Sequence, residues 1–208
     1  MRSGRRLLLA THNEHKRREL ARLLPGHEVL SLPDDFELPP EDGETFEANA
    51  LGKARAAAAL ARSLGACAIA DDSGIEAQAL GGAPGVRSAR FAGEQASDRQ
   101  NLDKLLAQAP AGSPLRYVCA LVLVDPESGL EEIFHGYCTG RVAAEPGGER
   151  GFGYDPAFVP DEQPEQGSDA TASPLTVAQL TDEQKDRISH RGRAVHALQR
   201  WLAQRAGG

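Results

Sequence analysis

Cysteine is scarce in this 208-residue chain. The three present, Cys67, Cys119 and Cys138, are an odd number with no CxxC spacing. That excludes a disulfide framework and a thiolate zinc site. Cys119 lies in an apolar run and Cys138 in a strand-like segment, so both read as small core residues. Long hydrophobic runs are also missing, and nothing approaches the roughly 20 apolar residues of a membrane span. The basic start of the chain turns apolar only over Leu7–Ala10, too short for a signal peptide. A cytoplasmic location and no membrane partner are expected. Net positive charge is absent too: 23 Lys+Arg against 30 Asp+Glu leave −7. Such a chain is a poor non-specific binder of duplex DNA, so no nucleic-acid partner is expected. A small anion needs only a local cluster of positive charge. Lysine is rare, four against nineteen arginines, which singles out Lys16, Lys53, Lys104 and Lys185.

Ordinary globular composition, 40% hydrophobic and 25% charged, fits one folded domain over residues 1–208. Leu7–Ala10 reads as a buried strand, and Thr11-His12-Asn13 opens a helix from Glu14 to about Leu24. Val29–Ser31 is a second strand. Thr45 caps a long alanine-rich helix to about Leu64. Ala68–Ala70 is a short strand expected to end at Asp71-Asp72-Ser73-Gly74. Ser97 caps a helix ending before Pro110. Arg116–Val124 and Glu131–Thr139 form a hairpin. Gly147–Gly153 is expected to be mobile. Thr181-Asp182-Glu183-Gln184 is a capping box that opens a C-terminal helical region with an apolar stripe of Ile188, Val195, Leu198 and Trp201. Strand–helix units together with a hairpin predict an α/β fold with a mixed sheet.

Four segments carry candidate chemistry, each with a plainer reading beside it. Thr11-His12-Asn13 with Lys16 stands at a helix N-terminus, which suits a phosphate, or is a simple N-cap. Asp71-Asp72-Ser73-Gly74 follows a buried strand, where open α/β sheets gather their sites. Two adjacent acids need a cation or basic group nearby, and magnesium with substrate phosphates would serve; the alternative is a turn. Gly151-Phe152-Gly153-Tyr154-Asp155-Pro156 presents a ring between two glycines, for stacking on a ligand or for packing at a corner. Lys185, Ser189, His190 and Arg191 form a basic polar group, with Lys185 and Ser189 on one helical face; otherwise it is a solvated face. Together the four suit nucleotide phosphate chemistry with magnesium.

These segments, with Thr45-Phe46, Asn49-Ala50, Lys53-Ala54, Gly81-Gly82-Ala83-Pro84-Gly85-Val86 and Ser88-Ala89-Arg90, occur in the order found in one family. From Leu7 to Trp201 the chain resembles the inosine triphosphate pyrophosphatases, the XTP/dITP diphosphatases. The resemblance implies an elongated mixed β-sheet flanked by helices, in two lobes with a central nucleotide-binding cleft, and a homodimer. It implies hydrolysis of ITP, dITP or XTP to the monophosphate and pyrophosphate with Mg²⁺, cleansing the nucleotide pool. It puts Thr11, Asn13, Lys16 and Lys53 around the triphosphate. Asp72 is implied as the acid–base residue and, with Glu41, as a metal ligand, with Asp71 beside it. Phe152, Gly153, Tyr154 and Asp155 are implied around the base, and Lys185, His190 and Arg191 at its edge, with Ser73 and Ser189 nearby. His12 stands where the family usually has glycine, and Ala48 where it commonly has glutamate; Gly167–Leu180 fits the family poorly. A related pyrophosphatase of modified pyrimidine nucleotides, or a non-catalytic purine nucleotide sensor, is the alternative.

Overall fold

The computed structural model describes residues 4–164 and 173–205. Gly167–Leu180 therefore lies partly outside the described residues. Six strands form one mixed sheet in the order β2-β1-β3-β4-β5-β6. They are β1 (Arg6–Leu9), β2 (Glu28–Ser31), β3 (Cys67–Ala77), β4 (Pro114–Asp125), β5 (Leu130–Val142) and β6 (Phe158–Pro160). The helices are α1 (Glu14–Leu23), α2 (Phe46–Ser63), α3 (Asp98–Gln108), α4 (Asp182–Ile188) and α5 (His190–Arg205). The expected α/β class and mixed sheet are what the structure shows.

The chain divides into two compact units. The first comprises Met1–Asp72, Cys119–Gly136 and Arg191–Gly208. In it β1 runs parallel to both β2 and β3. A strand held between parallel neighbours is covered on both faces, which is why Leu7, Leu8 and Leu9 are all fully buried. Leu7, Leu9, Cys67 and Ile69 pack with Leu20 and Leu23 of α1 and with Val195 and Leu198 of α5. On α2, the residues Phe46, Asn49, Ala50, Lys53, Ala54, Ala57 and Ala61 make one buried stripe at steps of three and four. Alanine lets that helix come close, and the same stripe carries Asn49 and Lys53 inward.

The second unit comprises Ser73–Val118 and Tyr137–His190. Its core joins Ile75, Ala77, Leu102, Leu105, Tyr117, Cys138, Tyr154 and Phe158. Here β6 pairs antiparallel with β5, Val142 opposite Phe158. Ser97 caps α3 through a capping box with Gln100.

Three expectations are corrected. β3 does not end at Asp71: it runs on to Ala77, so Asp71-Asp72-Ser73-Gly74 is strand and not turn. The glycine-rich loop is not mobile but pinned: Thr176 Oγ1 donates to the Gly147 carbonyl (2.6 Å), Arg150 N–H to that of Ala178 (3.1 Å), and Gly153 N–H to Asp98 Oδ2 (3.0 Å). The C-terminal region is two helices broken at Ser189, whose backbone is extended (φ −69°, ψ 155°), so Lys185 and Ser189 do not share a helical face. The three cysteines are buried and form no disulfide, as core residues.

Candidate active site

One group of charges lies in the first unit. At the start of α1, Asn13 Oδ1 accepts the N–H groups of His15 (2.9 Å) and Lys16 (3.1 Å), and Thr11 Oγ1 accepts that of Asn13 (3.1 Å). The cap uses the oxygen of the Asn13 side chain; its amide nitrogen and the Thr11 hydroxyl proton are the donors that remain for an anion. His12 does not point its bonding nitrogen into this loop. Its Nε2–H donates to the Phe36 carbonyl at 2.7 Å, tying the loop to the segment that leads to Glu41.

Successive side chains of a strand leave on opposite faces. Asp71, fully buried, meets Arg191, whose Nη2 and Nε lie 2.9 and 3.2 Å from Asp71 Oδ2, and Lys16, whose Nζ lies 3.3 Å from the same oxygen. Arg191 also donates to Glu19, a buried acid of α1. Asp72, 5% exposed, instead accepts from Asn49 Nδ2 at 2.9 Å, and its Oδ1 lies 3.9 Å from Lys53 Nζ. Lys53 in turn donates to the Asp71 carbonyl (2.7 Å) and to Glu41. Gly43 stands beside them: its N–H donates to Asn49 Oδ1 at 2.8 Å, and a Cβ there would lie 2.6 Å from that oxygen, so a larger residue would displace the Asn49 side chain.

The two neighbouring carboxyls have opposite electrostatics. Burial alone would raise Asp71, but Lys16, Arg191 and Lys53 hold it well below the usual carboxylate range. Burial raises Asp72 above its ordinary value despite Lys53 and Lys16, and Glu41 adds to the rise. Glu41 itself, although partly desolvated, is lowered by Lys53. Burial pushes the nearby Cys119 thiol up to about 12, so it is no thiolate nucleophile.

Among the described residues no three or more His, Cys, Asp or Glu side chains are gathered as a metal cage. Magnesium does not need one: it takes one or two carboxylates and completes its shell with water and phosphate oxygens. Glu41 and Asp72, drawn to one lysine, are a fitting pair, and the buried Asp71 Oδ1 has no hydrogen-bond partner among the described residues.

A second group lies in the second unit and is built on Asp155, which is 3% exposed. Its Oδ2 accepts from Lys185 Nζ (2.7 Å) and Phe152 N–H (3.0 Å), and its Oδ1 from the Tyr117 hydroxyl (3.0 Å). Lys185 Nζ stands 5.1 Å from the centroid of the half-buried Phe152 ring. Gly151 has φ +74°, and a Cβ there would lie 2.0 Å from Asp155 Oδ2, so the loop can close on the carboxylate only with glycine. The Tyr154 hydroxyl donates to the Ser88 carbonyl at 2.7 Å, a structural tie. Ser189 and His190 are buried here, and Ser73 is half-buried in β3.

The sequence-predicted residues thus fall into two sets: Thr11, Asn13, Lys16, Glu41, Lys53, Asp71, Asp72 and Arg191 in the first unit, and Ser73, Phe152–Asp155, Lys185, Ser189 and His190 in the second. The Arg191 guanidinium, 1% exposed, faces two carboxylates. Sequence reasoning missed Glu19, Asn49 as a partner of Asp72, and Tyr117. Asn49 was within reach, since it precedes Lys53 by one helical turn.

Comparison with known proteins points the same way. The model of the Ham1 family matches residues 7–201. Curated relatives named dITP/XTP pyrophosphatase include those of Cutibacterium acnes, 44% identical over 93% of this chain and 94% of that protein, and Symbiobacterium thermophilum, 46% identical over 93% and 92%. Among solved structures, the Staphylococcus aureus Ham1 protein is 35% identical with a TM-score of 0.74, covering 96% of this chain and 99% of that one. A Mycobacterium abscessus nucleoside-triphosphatase / dITP/XTP pyrophosphatase is 42% identical with a TM-score of 0.67, over 93% and 98%. A model matched along nearly the whole chain, with relatives of this identity and coverage, places the chain in the Ham1 family.

Proposed function

We propose that this protein hydrolyses deaminated purine nucleoside triphosphates, ITP, dITP and XTP, to the monophosphate and pyrophosphate. The names of the curated relatives support the substrate class. The observation that carries the chemistry is the separation of the two acids on β3, Asp71 on Arg191 and Lys16, Asp72 on Asn49 and near Lys53. Asp72, held by Asn49 and facing Lys53, takes a proton from the water that attacks the α-phosphorus. The bond from that phosphorus to the bridging oxygen breaks, and its electrons leave with pyrophosphate. Lys16 and Lys53 offset the charge that moves onto the leaving group. The Asn13 amide and Thr11 hydroxyl donate to phosphate oxygens. Asp71 stays ionised and holds Lys16 and Arg191 in place. Glu41 and Asp72 would hold Mg²⁺, which would supply charge neutralisation and orientation of the phosphates.

Phe152 offers the base a ring, and Lys185 and His190 offer donors to its edge. A six-carbonyl, as in hypoxanthine and xanthine, satisfies those donors, while the amino group of adenine leaves them unpaired, which discriminates strongly. Arg191, implied at the base edge by the resemblance, also binds Asp71 and Glu19, which ties it to the phosphate group. A homodimer and a cytoplasmic location belong to the same proposal; among the described residues no helix is long and apolar enough to cross a membrane.

The test is release of pyrophosphate from dITP, XTP and dATP under magnesium. The reading requires pyrophosphate from dITP and XTP, with dATP far slower. Equal turnover of dATP would contradict it.

A further inference from the structure

Tyr117 of β4 is buried, and its ring serves two partners of the second group at once. It stacks on the His190 imidazole, with centroids 4.6 Å apart and planes 9° from parallel. Its hydroxyl donates to Asp155 Oδ1 at 3.0 Å, while the other oxygen of Asp155 takes Lys185 Nζ and Phe152 N–H. One side chain therefore links the plane of His190 to the carboxylate that seats Lys185 and the Phe152 loop. Core packing alone accounts for the ring, which also packs on Phe158 at 4.5 Å between centroids. It does not account for the hydroxyl, whose bonded partner is a buried carboxylate. Burial, and then the charge of Asp155, raises the Tyr117 hydroxyl well above its ordinary value, so it remains a donor at any working pH. Tyr117, Asp155, Lys185, Ser189 and His190 line one small enclosed cavity.

We infer that Tyr117 is a positioning residue for purine recognition, its ring fixing the plane of His190 and its hydroxyl fixing Asp155 and, through it, Lys185 and Phe152. The inference rests on the proposed base-binding role of this group. Recognition of a carbonyl by two donors is directional, so loosening either donor lowers affinity for the base without touching the phosphates.

Tyr117→Phe keeps the stacking and removes the hydroxyl; Tyr117→Leu removes both. Each is made in the full chain and assayed with dITP and dATP under magnesium. Inhibition by inorganic tripolyphosphate reports the phosphate side, and Phe152→Ala reports the base site itself. For Tyr117→Phe we expect KM for dITP to rise about tenfold, the worth of one hydrogen bond to a charged partner, with kcat within about threefold. Tyr117→Leu should raise KM further and shrink the preference for dITP over dATP. Tripolyphosphate inhibition should be unchanged in both. An unchanged KM in Tyr117→Phe while Phe152→Ala raises it would overturn the inference and leave the base site standing. An unchanged KM in Phe152→Ala would overturn the base-site reading itself. Should Tyr117→Leu fail to fold, the near-isosteric Tyr117→Phe still decides. Weaker tripolyphosphate inhibition in parallel with a loss of dITP affinity would show Tyr117 to be merely structural.

Discussion

Because adjacent strand residues face opposite ways, Asp71 and Asp72 meet different partners, Asp71 an arginine and a lysine, Asp72 an asparagine and a more distant lysine. That difference, and not their identity as acids, separates the roles proposed for them. Asp72→Asn keeps the shape but can accept no proton from water. Losing a general base costs about 10²–10⁴-fold, so kcat for dITP should fall by at least about a hundredfold in a folded variant, measured at saturating magnesium. A kcat within about tenfold of the parent would show that Asp72 is not the base. Arg191→Ala should behave otherwise. It leaves Asp71 and Glu19 buried without their common partner, which typically costs about 3–5 kcal/mol, read from urea unfolding. Turnover of dITP and dATP should fall alike, because the damage is to the phosphate side. A loss confined to dITP would return Arg191 to the base edge.

At the scale of the element, α2 is where packing and chemistry are bound together. Its alanine stripe brings the helix close enough for Asn49 and Lys53 to reach Asp72 and Glu41. Ala57 is fully buried. Ala57→Leu should overpack that contact and lower stability by about 1–3 kcal/mol, seen as a fall in the urea midpoint. An unchanged midpoint would mean that the close approach is not required. The elements with local signals were legible in the sequence: the Asn13 and Thr45 caps, the helical stripe, the hairpin of β4 and β5. β3 was read too short because Asp, Ser and Gly are turn formers. What keeps those residues in a strand is pairing and charge compensation from Asn49 and Arg191, 23 and 120 residues away in sequence, which no local pattern records. The break at Ser189 was hidden for the converse reason, since the residues on both sides carry helical signals. Tyr117 lies in the expected strand Arg116–Val124; its hydroxyl bond to Asp155, 38 residues on, is invisible until the chain is folded.

On the scale of the whole molecule, a net charge of −7 and an anionic substrate are reconciled by where the lysines stand. Lys16 and Lys53 serve the first group and Lys185 the second, whereas Lys104 donates to the Phe91 carbonyl at 2.6 Å and is structural. Compact ammonium charges on an arginine-rich chain thus mark the two groups to which phosphate and base binding are proposed. The proposed homodimer is checked by sedimentation equilibrium, which should give twice the 22.1 kDa chain mass; a single chain mass would remove the dimer from the account. The central claim is that water, deprotonated by Asp72, attacks the α-phosphorus. Its most direct test is hydrolysis of dITP in water enriched in oxygen-18, with both products analysed by mass spectrometry. The expected products are dIMP and pyrophosphate, with the heavy oxygen in dIMP alone. Label in the pyrophosphate, or dIDP and labelled orthophosphate as the products, would contradict it.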